Sequence, residues 1–171
     1  MRKMLLIPLI LCMVALLPML WMPAVHATTP TTVSIKADGS IEDPNMEIWY
    51  AGDNIRMHVW GGGGYLLGPL WGKWIHDEWQ VVHLADGIVT LNGVWDTPDG
   101  VTFIDDGDVY EGTIHVRYGG TVDMATGVFE GQWVIISGTG DLANLRGQGT
   151  IWSDPAIDPD LHGSFQYHFD P

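Results

Sequence analysis

Three shortages narrow what this chain can do. One cysteine, Cys12, occurs in 171 residues, and it lies in an N-terminal apolar segment, so the body of the chain has no thiol for disulfides, iron–sulfur clusters or thiol catalysis. Seven Lys and Arg face 21 Asp and Glu, a formal charge of −14. A surface of that sign repels phosphate backbones and anionic lipid, which disfavours nucleic acid and acidic membranes as partners. No stretch of a dozen residues keeps a helical period. The motifs of nucleophilic hydrolysis and nucleotide binding are also missing: there is no Gly-x-Ser-x-Gly elbow, P-loop or Gly-x-Gly-x-x-Gly.

The N-terminus reads as a signal peptide spanning residues 1–27. Arg2 and Lys3 precede an apolar run from Met4 to about Leu20, and Val25-His26-Ala27 offers short residues for cleavage. Pro8 and Pro18 interrupt the run, which falls short of the roughly 20 apolar residues a span needs. Ile10 and Leu11 are too bulky for the small residues expected ahead of a lipidated cysteine. The expectation is a secreted or extracytoplasmic protein, free of the membrane after cleavage, with residues 28–171 forming a single domain large enough for a sizeable core.

Period-two alternation dominates that domain. Val33, Ile35 and Ala37 alternate with Thr32, Ser34 and Lys36; Ile55, Met57 and Val59 alternate with Arg56, His58 and Trp60. Glu47–Tyr50, Glu78–Leu84, Ile88–Trp95, Gly149–Ser153 and Ser164–Asp170 read as further strands, and Val109–Thr121 with Gly127–Ser137 as a hairpin. The glycine run Gly61–Gly64 and the mixed sequence Tyr65–Trp74 read as a flexible apolar loop. The chain is therefore all-β, with eight or nine antiparallel strands, and about eight strands close into a barrel that is packed or holds one small ligand.

The run Ser137–Thr150, SGTGDLANLRGQGT, with the strand before it and the alternating aromatics after it, resembles the closing hairpin of the allene-oxide-cyclase-like and dirigent-like barrel families, including related uncharacterised bacterial and archaeal exported proteins. Gly138, Gly140, Leu142, Leu145, Arg146, Gly147 and Gly149 carry the likeness. The resemblance implies a small antiparallel eight-stranded barrel, calycin-like and of the allene-oxide-cyclase type, often trimeric, whose better-known members steer reactive apolar molecules. Physics gives the motif a structural role, in which glycines bend and restart the strand while Leu142 and Leu145 turn inward from a single helical turn. Arg146 is placed to bond freed carbonyls or to pair with Asp141. Phe129, Trp133 and Ile135 face one way, while Val134 and Ile136 face the other, and an outer apolar stripe points to a homo-oligomer.

Candidate chemistry is sparse. His58, His76, His83, His115, His162 and His168 contain no H-x-H or H-x-x-x-H pair, and the sequence calls for no metal and no cofactor. The acidic groups Asp105, Asp106, Asp108 and Glu111, and Asp154, Asp158 and Asp160, match no calcium motif and read as solvated turns. Acid–base candidates are His83, His115 and Glu78; His115 and Arg117 oppose Ile114, Val116 and Tyr118, the more apolar and hence inner set. Aromatic residues around the glycine-rich segment, Trp60, Tyr65, Trp71, Trp74 and Trp79, are the ligand-binding candidates. The expected function is binding of a small apolar or aromatic molecule. An isomerase or cyclase in the same pocket, and a carbohydrate-binding or structural extracellular module, are the alternatives.

Overall fold

The computed structural model describes residues 31–42 and 44–170; the segment read as a signal peptide lies outside the described residues. Alternation and turn chemistry yield eleven strands, more than the eight or nine expected: β1 (Thr31–Glu42), β2 (Asn45–Ala51), β3 (Asn54–Leu67), β4 (Leu70–His83), β5 (Ile88–Asp96), β6 (Val101–Asp105), β7 (Asp108–Gly112), β8 (Ile114–Asp123), β9 (Phe129–Gly138), β10 (Leu145–Asp154) and β11 (Asp158–Phe169). They form one antiparallel sheet that curls into a partial ring. Along it, β1 pairs with β11, then β10, β9, β8, β5 and β4 follow in turn, and β4 pairs with β3. β2 lies along one half of β3 and β1 along the other, while the β6–β7 hairpin is added to the start of β4.

Two sequence expectations are corrected. The segment Gly61–Trp74 is not a flexible loop. It is the tip of a long β3–β4 hairpin turned at Gly68-Pro69, and its glycines mark a bulge and a close backbone approach. The register slips between Trp60 and Gly63, and a Cβ on Gly63 would lie 2.0 Å from the Trp74 carbonyl oxygen. Val109–Thr121 is likewise two strands, since the chain passes at Gly112-Thr113 from pairing with β6 to pairing with β5 and β9.

The inner face is filled at one end. Phe103, Leu70, Ile114, Leu142, Leu145 and Phe165 are fully buried there. Phe103 meets Tyr167 edge-on at 4.8 Å between ring centroids and Phe165 at 6.0 Å. Leu142 belongs to the 3-10 turn Gly140–Leu142, which follows β9. Thr113 and Thr139 bond each other there through their hydroxyls at 2.8 Å, and the Asp141 carboxylate accepts the Glu111 amide. Arg146 donates to the Ala143 and Leu145 carbonyls and pairs with Asp170 at 2.9 Å, in place of the expected Asp141 partner. Of the outer stripe, Val134 is half-buried and Ile136 exposed.

Several inner rings fit only because a neighbouring strand carries glycine. A Cβ on Gly147 would come within 2.0 Å of the Phe165 ring. Gly147→Ala should therefore destabilise the fold by roughly 1–3 kcal/mol, the usual cost of overpacking, and Phe165→Leu should recover part of that loss in the double variant. Urea midpoints for the four-member cycle measure it; additive losses would show that the ring and the glycine are not in contest.

Candidate functional site

Beyond the packed end the same interior is hollow. A cavity of about 370 Å³ lies among the inward residues near the C-terminal ends of β8 and β10 and the N-terminal ends of β9 and β11, within the range of small-ligand sites. Leu66, Leu91, Val122, Phe129, Ile151 and Leu161 supply aliphatic and aromatic wall, and Trp95 and Trp133, 6.1 Å apart, lie between it and the packed end.

Strand parity selects its polar groups. Along β4, Leu70, Gly72, Trp74, His76, Glu78, Gln80 and Val82 form the inner set, and Trp71, Lys73, Ile75, Asp77, Trp79, Val81 and His83 the outer one. Trp74, His76 and Glu78 thus enter the cavity side by side. Glu78, with 7% of its surface exposed, is the one buried carboxylate among the described residues. It accepts a 2.6 Å hydrogen bond from the Tyr118 hydroxyl and another from the Gln80 amide. Tyr118 reaches it across an intervening strand, because the residue registered between them on β5 is Gly93. A Cβ there would stand 3.0 Å from the phenol and 2.7 Å from the Asp77 carbonyl oxygen.

Burial pushes the Tyr118 hydroxyl well above its ordinary range, and the negative charge of Glu78 reinforces this. The phenol is a fixed donor. Burial likewise lowers the pKa of His76, against the opposing pull of Glu78 and Asp77. The ring is consequently neutral at pH 7. Among the described residues, two fully buried nitrogens of cavity-lining side chains have no hydrogen-bond partner: Trp74 Nε1 and His76 Nε2.

The remaining candidates lie elsewhere. His83 is on the outer face, 3.3 Å from the Thr90 hydroxyl, and His115 is outside on β8, 2.6 Å from Asp96. The structure does not bring either to Glu78. Of the five aromatic candidates only Trp74 lines the cavity; Tyr65 and Trp71 are exposed outside. Trp60 and Trp79 belong to an external ladder in which His58 stacks on Trp79 at 4.2 Å and on Trp60 at 4.5 Å, with Trp49 edge-on to Trp79. Asp77 fixes the imidazole at 2.8 Å. The acidic group at the start of β11 is engaged by Lys36, 3.1 Å from Asp158 and 2.7 Å from Asp160. Sequence reading missed His76, Tyr118, Trp95 and Trp133 as cavity residues. Extending the parity of Glu78 back through the supposed loop would have found His76 and grouped it with Trp74.

No family model matches the chain, and no curated protein matches it. Among solved structures it is similar to a protein of unknown function from the DUF3224 family of Shewanella oneidensis, with a TM-score of 0.55 and 16% identity over 83% of this chain and 98% of that one. That likeness concerns the fold alone.

A depressed histidine pKa has a thermodynamic signature. Below pH about 6.5 the unfolded chain binds a proton at His76 that the folded chain refuses until lower pH, so stability present above 6.5 is lost on acidification. His76→Gln should lose less stability than the wild type between pH 7 and pH 5 in urea titrations; equal losses would contradict the assignment.

Proposed function

We propose that this is an exported eight-stranded barrel of the calycin-like, allene-oxide-cyclase type that binds a small apolar or aromatic molecule inside the wide end of its interior. The pairings support the architecture: β3, β1, β11, β10, β9, β8, β5 and β4 succeed one another around the ring, and β2, β6 and β7 are additions. The observation that carries the function is the cavity itself. Rings and aliphatic side chains line it, a carboxylate–phenol pair stands in its wall, and Trp95 and Trp133 close it from the packed end. An apolar wall with a few placed polar groups is the usual make-up of a small-molecule site. Of the acid–base candidates only Glu78 reaches this space, so an isomerase or cyclase in the same pocket would turn on Glu78 with Tyr118 as its donor.

A second reading has its own observation. The outer ladder of Trp49, Trp79, His58 and Trp60 offers flat, partly exposed rings, the kind of surface on which a sugar stacks.

One variant separates the two sites. Ala37 is buried in the cavity wall, and Ala37→Phe should fill the space at a cost of no more than roughly 1–3 kcal/mol, the usual range for overpacking. Wild type should give saturable fluorescence enhancement with the neutral probe N-phenyl-1-naphthylamine, and Ala37→Phe should abolish it. Equal binding by both proteins would place the probe outside and overturn the proposal. Tryptophan quenching by oligosaccharides in both proteins, without probe binding, would favour the outer ladder.

A further inference from the structure

We infer that β2 is an interface strand on which a second copy of this chain docks, the two β2 strands pairing antiparallel about a two-fold axis at Ile48 so that both sheets run on as one.

The two ends of the sheet differ. β7 forms one end and is guarded: Asp106, Asp108 and Glu111 put charge along it, and the Asp141 carboxylate takes the Glu111 amide. β2 forms the other end, where its one partner strand among the described residues is β3. It carries no lysine, no proline and no bulge, the usual devices that keep an edge from pairing. Its register with β3 places Met46, Ile48 and Tyr50 on one face with Met57 and Ile55. Met46, Ile48 and Tyr50 are 56%, 55% and 79% exposed, an apolar row without cover.

The turn fixes which backbone groups are free. Ala51 and Asn54 flank a two-residue turn whose first residue, Gly52, has a φ of +63°, as a type II′ hairpin requires. Ala51 and Asn54 are then a hydrogen-bonded pair, and the alternation of an antiparallel ladder turns the N–H and C=O of Tyr50, Ile48 and Met46 away from β3. Three such residues, evenly spaced about Ile48, are self-complementary under a two-fold axis there. Ile48 meets Ile48 of the second copy, Met46 meets its Tyr50, and the outward groups of all three residues pair. Neighbouring axes do worse. One at Glu47 sets two carboxylates opposite each other and Tyr50 against Pro44, which has no N–H; one at Trp49 carries Met46 onto the turn at Gly52.

Charge identifies the occupant. Glu47 and Trp49 project from the other face of β2, and Trp49 is registered with Arg56. Among the described residues neither Glu47 nor Arg56 has an ion-pair partner. With the axis at Ile48, Glu47 of the second copy stands beside Trp49, and Arg56 lies one strand further on. The two Cα atoms are then about 10 Å apart, a span that an arginine and a glutamate cover together across the indole. Each copy supplies the cation that the other's carboxylate lacks, twice by symmetry.

The test reads the register. Cys12→Ser removes the one native thiol, and single cysteines then replace Ile48, Glu47 or Tyr50. At the axis the two Ile48 Cα atoms stand about 5.5 Å apart, within reach of a disulfide, whereas the two Glu47 stand about 8 Å apart and the two Tyr50 about 14 Å. Ile48→Cys should cross-link into a dimer under mild oxidation about tenfold faster than Glu47→Cys or Tyr50→Cys. Sedimentation equilibrium of the Cys12→Ser protein between about 1 and about 300 μM should show monomer and dimer in exchange, since one strand pair buries less than a standard interface. Ile48→Lys should leave monomer alone, with a circular dichroism spectrum like that of the parent. Arg56→Glu should weaken the dimer by roughly fivefold, and adding Glu47→Arg should restore it. Monomer throughout that range overturns the inference, and so does equal cross-linking at the three positions. A dimer that survives Ile48→Lys and is lost with Ile136→Lys overturns it in favour of the outer face of β9.

Discussion

Several large inward rings follow one steric rule, each lying over an inward glycine: Phe165 over Gly147 and Tyr118 over Gly93 on neighbouring strands, and Phe129 over Gly120 on β8 and Gly131 on its own strand. A sheet curled this tightly has little room for side chains of equal size at every inward position, so large and small alternate between strands. The rule also sets the chemistry. With any larger residue at position 93 the Tyr118 phenol would not cross β5, and the Glu78 carboxylate would stand in an apolar wall without its phenol donor.

The two ends of the interior follow from which residues the strands deliver to each. Phe103 from the β6–β7 hairpin, Leu142 from the 3-10 turn, Leu145 and Phe165 converge at one end and leave no exposed surface. At the other end the inward positions include Ala37, Gly62, Gly63, Gly127 and Ser153, too small to meet across the space. The cavity is therefore a consequence of residue size along the strands. Nearly all of the acidity stays outside, and Glu78 is the exception among the described residues.

Much of this is legible in the residues alone. Period-two alternation identifies most strands and the all-β class, and the glycine and leucine spacing of Ser137–Thr150 reads as a corner with inward leucines, where Leu142 and Leu145 are fully buried. The placing of Ile114 and Val116 inside and His115 and Arg117 outside also agrees with the structure. The site is less legible, because it depends on pairings between strands distant in sequence. Nothing local to Tyr118 announces that it reaches Glu78, 40 residues away, over a glycine on β5. Reading Gly61–Trp74 as a loop cuts β4 short just where its parity would separate Trp74 and Glu78, which face inward, from Trp71, Trp79 and His83, which face out.

The most direct test is a crystal structure of the protein soaked with a brominated neutral aromatic, 6-bromo-1-tetralone, recorded at the bromine absorption edge. The account predicts one dominant anomalous peak inside the ring of strands, bounded by Trp74, Trp95 and Phe129. Bromine found only on the outer ladder of Trp49, Trp60 and Trp79, with the interior filled by side chains, would contradict it.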